Sequence, residues 1–298
     1  MKPRLFSTLR CLQHDNPLGL PRTGAPPQFP RMQRGLPQKR PIRDVKKIIA
    51  VSSAKGGVGK STIAVNLALS LARAGHRTGI LDTDIFGPSI PTLLNLSGEP
   101  RLTPDNQLLP LSNYGLASMS IGYLTPPSSP LAWRGLMVTK ALHQLLHSVS
   151  WPALDVLVLD LPPGTGDVQL TITQQIPLDG AIVVSTPQDL ALRDAARGIE
   201  LFRKTDVEIL GLVCNMSGFR CAGCGGMHEI FGPLGKIRET CEREGIRVLG
   251  EVPLDARICE DADRGRPTVV AEPEGERAAV FRGIAGEVAG LIGLGEKG

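Results

Sequence analysis

The sequence predicts an α/β fold, a mostly parallel sheet covered by helices on both faces. Three observations carry this. Apolar residues make up 42% of the chain and aromatic residues 4%, so the core is drawn from Val, Ile, Leu and Ala, the composition of buried parallel strands. Short β-branched runs alternate with stretches of helical periodicity, and helices between apolar strands imply parallel pairing through crossovers. A glycine-rich loop also joins the first of these strands to the first of these helices, the setting of an anion site.

Taken in order, Lys47 to Ser52 is short, β-branched and closed by the glycine-rich turn, as a buried strand is. Thr62 to Ala74 has a helical pattern that stops at Gly75, and Arg77 to Asp82 reads as a second strand. Further strands are predicted at Val156 to Asp160, Ala181 to Ser185, Ile209 to Cys214 and Arg247 to Val252, with helices at Leu190 to Lys204 and Gly235 to Glu244. Gln107 to Leu124 is expected to form a hairpin insertion. The tail, Arg277 to Leu294, sets Val280, Ile284, Val288 and Leu291 at helical spacing. Its other side lacks the Lys/Arg enrichment of a membrane-surface helix, so core packing is expected. No fixed-period repeat is visible.

At 298 residues the chain suits one large α/β domain, expected over residues 46–298. Residues 1–45 are expected to be a leader and linker. Met1 to Lys47 carries eleven Lys or Arg against Asp15 and Asp44, a local charge of +9 that leaves −5 on the rest of a chain totalling +4. The basicity belongs to the tail, and nucleic-acid binding by the folded part is not expected. Lys2 to Leu12 places Leu5, Phe6, Leu9 and Leu12 largely on one side of a short helix among Lys2, Arg4 and Arg10, which resembles a mitochondrial presequence. Ser7 as its only serine and Asp15 close by depart from that pattern, and the alternative is a disordered basic tail. Seven prolines between Pro17 and Pro41 mark a segment too poor in apolar surface to order itself. No stretch reaches the roughly eighteen apolar residues of a membrane span, so a soluble protein is expected.

Ala54-Lys55-Gly56-Gly57-Val58-Gly59-Lys60-Ser61-Thr62 follows a strand and opens a helix, as a phosphate loop requires. Backbone amides converge on the phosphate oxygens, Lys60 can reach the β and γ phosphates, and the Ser61 hydroxyl can ligate magnesium. Leu81 to Ser89 (Leu-Asp-Thr-Asp-Ile-Phe-Gly-Pro-Ser) sets Asp82 and Asp84 at a strand end, where a carboxylate can hold a metal-bound water or orient an attacking one. Val156 to Asp167 (Val-Leu-Val-Leu-Asp-Leu-Pro-Pro-Gly-Thr-Gly-Asp) is an apolar strand closed by Asp160, expected in the magnesium shell. Gly164 and Gly166 permit a nucleotide-dependent turn, and Asp167 is a candidate helix cap.

Six cysteines are too few and too unevenly spaced for a disulfide framework, which points to a reducing compartment. Cys221 and Cys224 form a Cys-x-x-Cys pair in a glycine-rich loop. A tetrahedral zinc site or a [4Fe–4S] cluster needs four ligands, of which one pair supplies half. The readings left open are an iron–sulfur site shared by two subunits, zinc held with help from Cys214, His228, Cys241 or Cys259, and a redox dithiol. Cys11 falls in the leader.

Ala54 in place of glycine and Lys55 at the loop entrance resemble the deviant Walker A subclass. The motifs Lys-Gly-Gly-Val-Gly-Lys-Ser, Asp-Thr-Asp-Ile-Phe-Gly-Pro-Ser-Ile-Pro, Leu-Asp-Leu-Pro-Pro-Gly-Thr-Gly-Asp and Asn-Met-Ser followed by Cys-x-x-Cys together resemble the Mrp/NUBPL family over Lys47 to about Gly290. That resemblance implies a single-domain P-loop NTPase fold of the SIMIBI/MinD-like type with a Cys-x-x-Cys loop insertion. It implies an ATP-bridged homodimer in which Lys55 reaches the partner's nucleotide, a water-orienting Asp84, a magnesium-linked Asp82, and adenine contacts at Asn215, Pro253 and Asp255. It further implies a weak ATPase that carries a [4Fe–4S] cluster on Cys221 and Cys224 of two chains, delivers it to apoproteins and, in the mitochondrial matrix, serves complex I. The family commonly has proline after the first cysteine, where this chain has Ala222. The alternative class is a regulatory ATPase of the ParA/MinD type, in which the cysteine pair is structural or binds zinc.

Overall fold

A computed structural model describes residues 39–124 and 135–295. The presequence and most of the proline-rich linker lie outside the described residues. Strand β1 (Val45–Ser52) runs through the glycine-rich loop into helix α1 (Lys60–Arg73), and β2 (Thr78–Asp82) follows. A short helix α2 (Ile90–Leu93), strands β3 (Leu111–Asn113) and β4 (Leu116–Ser120), and α3 (Gly135–His147) come before β5 (Leu154–Asp160). Then come α4 (Asp167–Gln175), β6 (Gly180–Ser185), α5 (Asp189–Lys204) and β7 (Ile209–Asn215). A small pair, β8 (Phe219–Arg220) and β9 (Met227–His228), precedes α6 (Gly235–Glu244) and β10 (Val248–Val252). Helices α7 (Ala256–Asp263), α8 (Thr268–Ala271) and α9 (Glu276–Leu291) close the chain.

The main sheet has the order β10-β7-β6-β1-β5-β2-β4-β3. Its pairs are parallel except β3 with β4. From β1 the chain crosses first to the β2 side, and β6, β7 and β10 later fill the other. The loop after β1 therefore lies at the switch point where parallel sheets open a crevice for ligands. The hairpin expected at 107–124 exists, but it is no separate insertion. Its second strand pairs in parallel with β2, from Gly79↔Ala117 to Asp82↔Ser120, and extends the sheet. Every residue of β4 is buried, and its Ala and Ser residues hide that in the sequence.

Strand alternation sorts the core into two layers. Ile49 and Val51 of β1 and Val156 and Val158 of β5 pack with Ile63 and Leu67 of α1 and Phe281 of α9. Ile48, Ala50, Leu157 and Leu159 pack on the opposite face with Leu142 of α3 and Phe202 of α5. The tail helix joins the first layer through Ile284 and Val288, with Val280 and Leu291 at its margin. A side-chain carbon at Gly250 of β10 would stand 2.5 Å from Ile284 Cγ1, so the bare glycine lets α9 settle on the sheet. Among the described residues no helix is long and apolar enough to cross a membrane.

Because Phe281 is 1% exposed and anchors α9 to the sheet, Phe281→Ala is expected to lower stability by about 3–5 kcal/mol. The change should appear in urea unfolding as a lower midpoint at unchanged slope.

Candidate functional site

The phosphate loop is shaped by a contact that permits only glycine. Gly59 precedes α1 with φ 83°, a left-handed conformation that L side chains avoid. A carbon added there would also lie 2.1 Å from Asn215 Nδ2. That amide, at the end of β7, donates to the Val58 carbonyl at 2.8 Å. Above the loop lies a cleft of about 420 Å³, within the range of small-molecule sites. The loop glycines and Lys60, Ser61 and Thr62 form its floor. Asp84 and Ser89 stand on one wall, and Asn215, Met216, Pro253, Leu254 and Asp255 with Ile258, Cys259, Ala262 and Asp263 of α7 stand on the other.

Beneath the floor lie two buried carboxylates, Asp160 and Asp82, and Lys60 pairs with the first. Lys60 Nζ donates to Asp160 Oδ1 and, at 3.2 Å, to Ser61 Oγ. Asp160 is fully buried, and its Oδ2 has no hydrogen-bond partner among the described residues. Burial raises the Asp160 carboxyl while Lys60 opposes the rise. Asp82, also fully buried, is pushed up to about 7 by burial first and by the charge of Asp160 second. Its oxygens accept from the amides of Asp84 (3.0 Å) and Ser89 (3.1 Å) and from Ser120 Oγ (3.0 Å). Such a pair invites a second cation, and magnesium fits: an unpartnered carboxylate oxygen beside a serine hydroxyl is a hard-oxygen donor set.

The loops around the cleft are tied to one another. The Thr83 amide and hydroxyl both donate to the Asp160 carbonyl, at 3.0 and 2.8 Å. Gly164 N donates to Ser53 O at 2.9 Å. Buried Gln169 donates to Pro162 O at 2.6 Å, bracing the turn after β5. The cap of α4 is Gly166 rather than Asp167, which is the first helical residue.

The cysteine pair sits at the tip of the β8–β9 hairpin. Cys221 N donates to Gly226 O and Gly225 N donates to Cys221 O, both at 2.9 Å. Amides of Cys224 and Gly223 hold the Cys221 thiol below its ordinary value. Cys221, Cys224 and His228 bring their donor atoms within 4.8 Å of one another, with Cys224 and His228 exposed. The other cysteines weighed for zinc do not join them. Cys214 and Cys241 are buried in an apolar cluster with Leu192, Leu212 and Ile237, where burial pushes their thiols up to about 12 and about 11. Cys259 lies on α7 at the cleft.

The cleft thus gathers Gly56, Gly57, Gly59, Lys60, Ser61, Thr62, Asp84, Asn215, Pro253 and Asp255. Asp82 and Asp160 lie beneath it, and Val58 buries its side chain. Lys55 does not line it; its Nζ donates to Gln188 Oε1 at 3.4 Å. Sequence reasoning missed the α7 wall, because this eight-residue helix carries no motif.

A cation entering beside Asp160 must displace the proton that Asp82 holds below about pH 7. Magnesium–ATP binding is therefore expected to release a proton at pH 6 and none at pH 8.5, and to tighten over that interval. Calorimetry in buffers of different ionisation enthalpy measures the release, which Asp82→Asn should abolish.

Comparison with known proteins places the chain in a family. The chain is 52% identical over 259 residues to the mouse iron–sulfur cluster transfer protein NUBPL, covering 86% of this chain and 81% of that one. It is 52% identical to the iron–sulfur cluster carrier protein of Salmonella typhimurium, covering 84% and 68%. A nucleotide-binding protein from Archaeoglobus fulgidus, solved in complex with ADP, superposes with a TM-score of 0.68 at 37% identity, covering 80% and 93%. The septum site-determining protein MinD of Pyrococcus horikoshii, at 21% identity and a TM-score of 0.64 over 83% and 98% of the two chains, shares the fold. The ParA-type model described as NUBPL iron-transfer P-loop NTPase matches residues 44–289, and the chain belongs to that family.

Proposed function

We propose that the chain is an ATP-dependent carrier of iron–sulfur clusters. Two copies enclose ATP between them and hold one [4Fe–4S] cluster on Cys221 and Cys224 of each. They pass it to apoproteins of the mitochondrial matrix, complex I subunits among them. The observation that carries this is an exposed two-thiol hairpin rooted in a nucleotide cleft. Two thiols are half a cluster's ligands, and a two-fold axis supplies the rest. Exposed Phe219, Met227 and Ile230 flank the thiols, an apolar surface suited to a second copy. Lys55, off the cleft of its own protomer and held there by one bond to Gln188, turns to the partner's. The names of relatives support the cargo and its destination: a cluster transfer protein in mouse, and an iron–sulfur protein required for NADH dehydrogenase, mitochondrial, in Arabidopsis thaliana.

The chemistry follows from the cleft. The loop amides and Lys60 hold the β and γ phosphates, and Asp84 orients water for in-line attack on the γ phosphorus, whose bond to the bridging oxygen breaks. Magnesium, held by Ser61 and Asp160 with Asp82 behind, neutralises charge on those phosphates. With magnesium held by Ser61 and Asp160, Lys60 would be released from Asp160 to turn to the phosphates, and the buried carboxylate would keep a cation beside it. Asn215 links loop to hairpin, and through it the nucleotide biases how the two thiol pairs meet.

Anaerobic reconstitution of the chain with iron and sulfide tests the cargo. About four irons per dimer are expected, lost together with the dimer's cluster absorbance in Cys221→Ala/Cys224→Ala. Zinc in place of iron, or iron unaffected by the substitutions, contradicts the carrier and points to a regulatory ATPase of the ParA/MinD type. Lys55→Ala is expected to keep ATP binding by the protomer and to lose the ATP-dependent shift to dimer mass in light scattering.

A further inference from the structure

We infer that each single protomer also has a metal site of its own, in which Cys221 Sγ, Cys224 Sγ and His228 Nε2 ligate one divalent transition-metal ion and leave a fourth position open. The site shares its thiols with the proposed cluster but does not depend on that reading. It belongs to one chain and adds a ligand that the bridged cluster does not use.

The first argument is spacing. The three donors lie within 4.8 Å of one another. Around one tetrahedral ion, metal–sulfur bonds of about 2.3 Å and metal–nitrogen bonds of about 2.0 Å put donors roughly 3.5–3.8 Å apart. Small side-chain rotations close that difference. Ligands bound to separate irons of a cubane stand farther apart, so the thiols as folded are spaced for one ion and must spread to take a cluster.

The second argument is how the backbone builds the site. The pairing Phe219↔His228 and Arg220↔Met227 brings a residue beyond the turn back beside the residues that open it. The two reciprocal bonds of Cys221 N to Gly226 O and Gly225 N to Cys221 O, each 2.9 Å, hold the turn closed. The donor set is thus a product of local folding, available without a second chain.

The third argument is room. A carbon added at Gly226 would stand 3.3 Å from Cys224 Sγ and 3.6 Å from His228 Nε2. The glycine keeps clear the space that these two atoms share, with Nε2 on the side of the Cys224 sulfur. Two thiols and an imidazole select zinc, ferrous iron or cobalt over magnesium or calcium. With Cys224 and His228 exposed and Cys214 and Cys241 sealed in an apolar cluster, the described residues offer no fourth ligand, and the open position faces solvent. One ion on one chain and one cluster on two chains are then alternative loads for the same thiols, and the ion must leave before the cluster enters.

Cobalt(II) is the probe, titrated anaerobically into the full chain. Its thiolate charge-transfer band is blind to oxygen ligands in the nucleotide cleft, and the loss of the band in Cys221→Ser/Cys224→Ser separates this site from the Cys259 thiol that lines the cleft. The expected result is one cobalt per monomer, with the band and tetrahedral d–d absorption. His228→Ala should weaken binding roughly tenfold or more, since even an outer-shell partner of a ligand is worth that much, and should shift the d–d bands. Gly226→Val, which fills the space and leaves all three donors, should also weaken it. Cys221→Ser/Cys224→Ser should abolish the band. No band in the wild type, a band confined to dimers, or a His228→Ala protein with wild-type affinity and spectrum overturns the inference. Four irons per reconstituted dimer without a monomer cobalt site sinks this inference alone. A cobalt site without cluster assembly sinks the carrier reading alone.

Discussion

The phosphate loop and the end of β7 approach so closely that position 59 admits no side-chain carbon. The Asn215 amide fills the gap and donates to the loop at Val58. Much of the functional end of the molecule follows from this constraint. Met216, next in sequence, takes a positive φ of 55°, turning the chain out of the sheet. Ser217 N then donates to Val252 O at 3.0 Å and Leu254 N to Gly218 O at 2.9 Å. The hairpin root is thereby stitched to the Pro253-Leu254-Asp255 turn that walls the cleft. Six positions separate the asparagine at the loop from Cys221 at the hairpin, and the path starts on the cleft wall, which Asn215 and Met216 line.

Charge governs the interior of the site as sterics govern its edge. Lys60 at 7% exposure and Asp160 at 0% form a pair that water does not screen, and removing either partner leaves a buried charge at a cost of several kcal/mol. Asp82 adds a second carboxylate, and the amides it gathers from Asp84 and Ser89 are those of the loop that carries Asp84 to the cleft wall. Ionisation of this pair and position of that loop are therefore one variable. The cleft thus opens onto a buried ion pair with a second carboxylate behind it.

Much of this was legible in the sequence. The continuous apolar run Val156–Leu159 of β5 and the β-branched run of β1 reveal central strands because both of their faces are buried, and the loop motif reveals the crevice because only glycine tolerates its geometry. The limits have physical causes. In β4, Ala117, Ser118 and Ser120 are buried but carry no apolar signature, so its place in the sheet follows from pairing alone. Helix α7 lines the cleft with Ile258, Cys259 and Ala262, and although their spacing is helical, nothing in it says which cavity the face meets. The Asn215 contact joins residues 157 positions apart, and no local pattern encodes it. Nor does Cys-x-x-Cys spacing reveal that a two-residue strand pairing returns His228 to the thiols.

The central claim is that cleft and cysteine hairpin respond as one unit, and amide hydrogen exchange across residues 216–228 with and without magnesium–ATP tests it most directly. The account predicts altered protection of the hairpin on nucleotide binding in the wild type, and none there in Asn215→Ala at a nucleotide concentration that saturates both proteins. Hairpin exchange that is indifferent to nucleotide in the wild type, while the phosphate loop itself becomes protected, would contradict it.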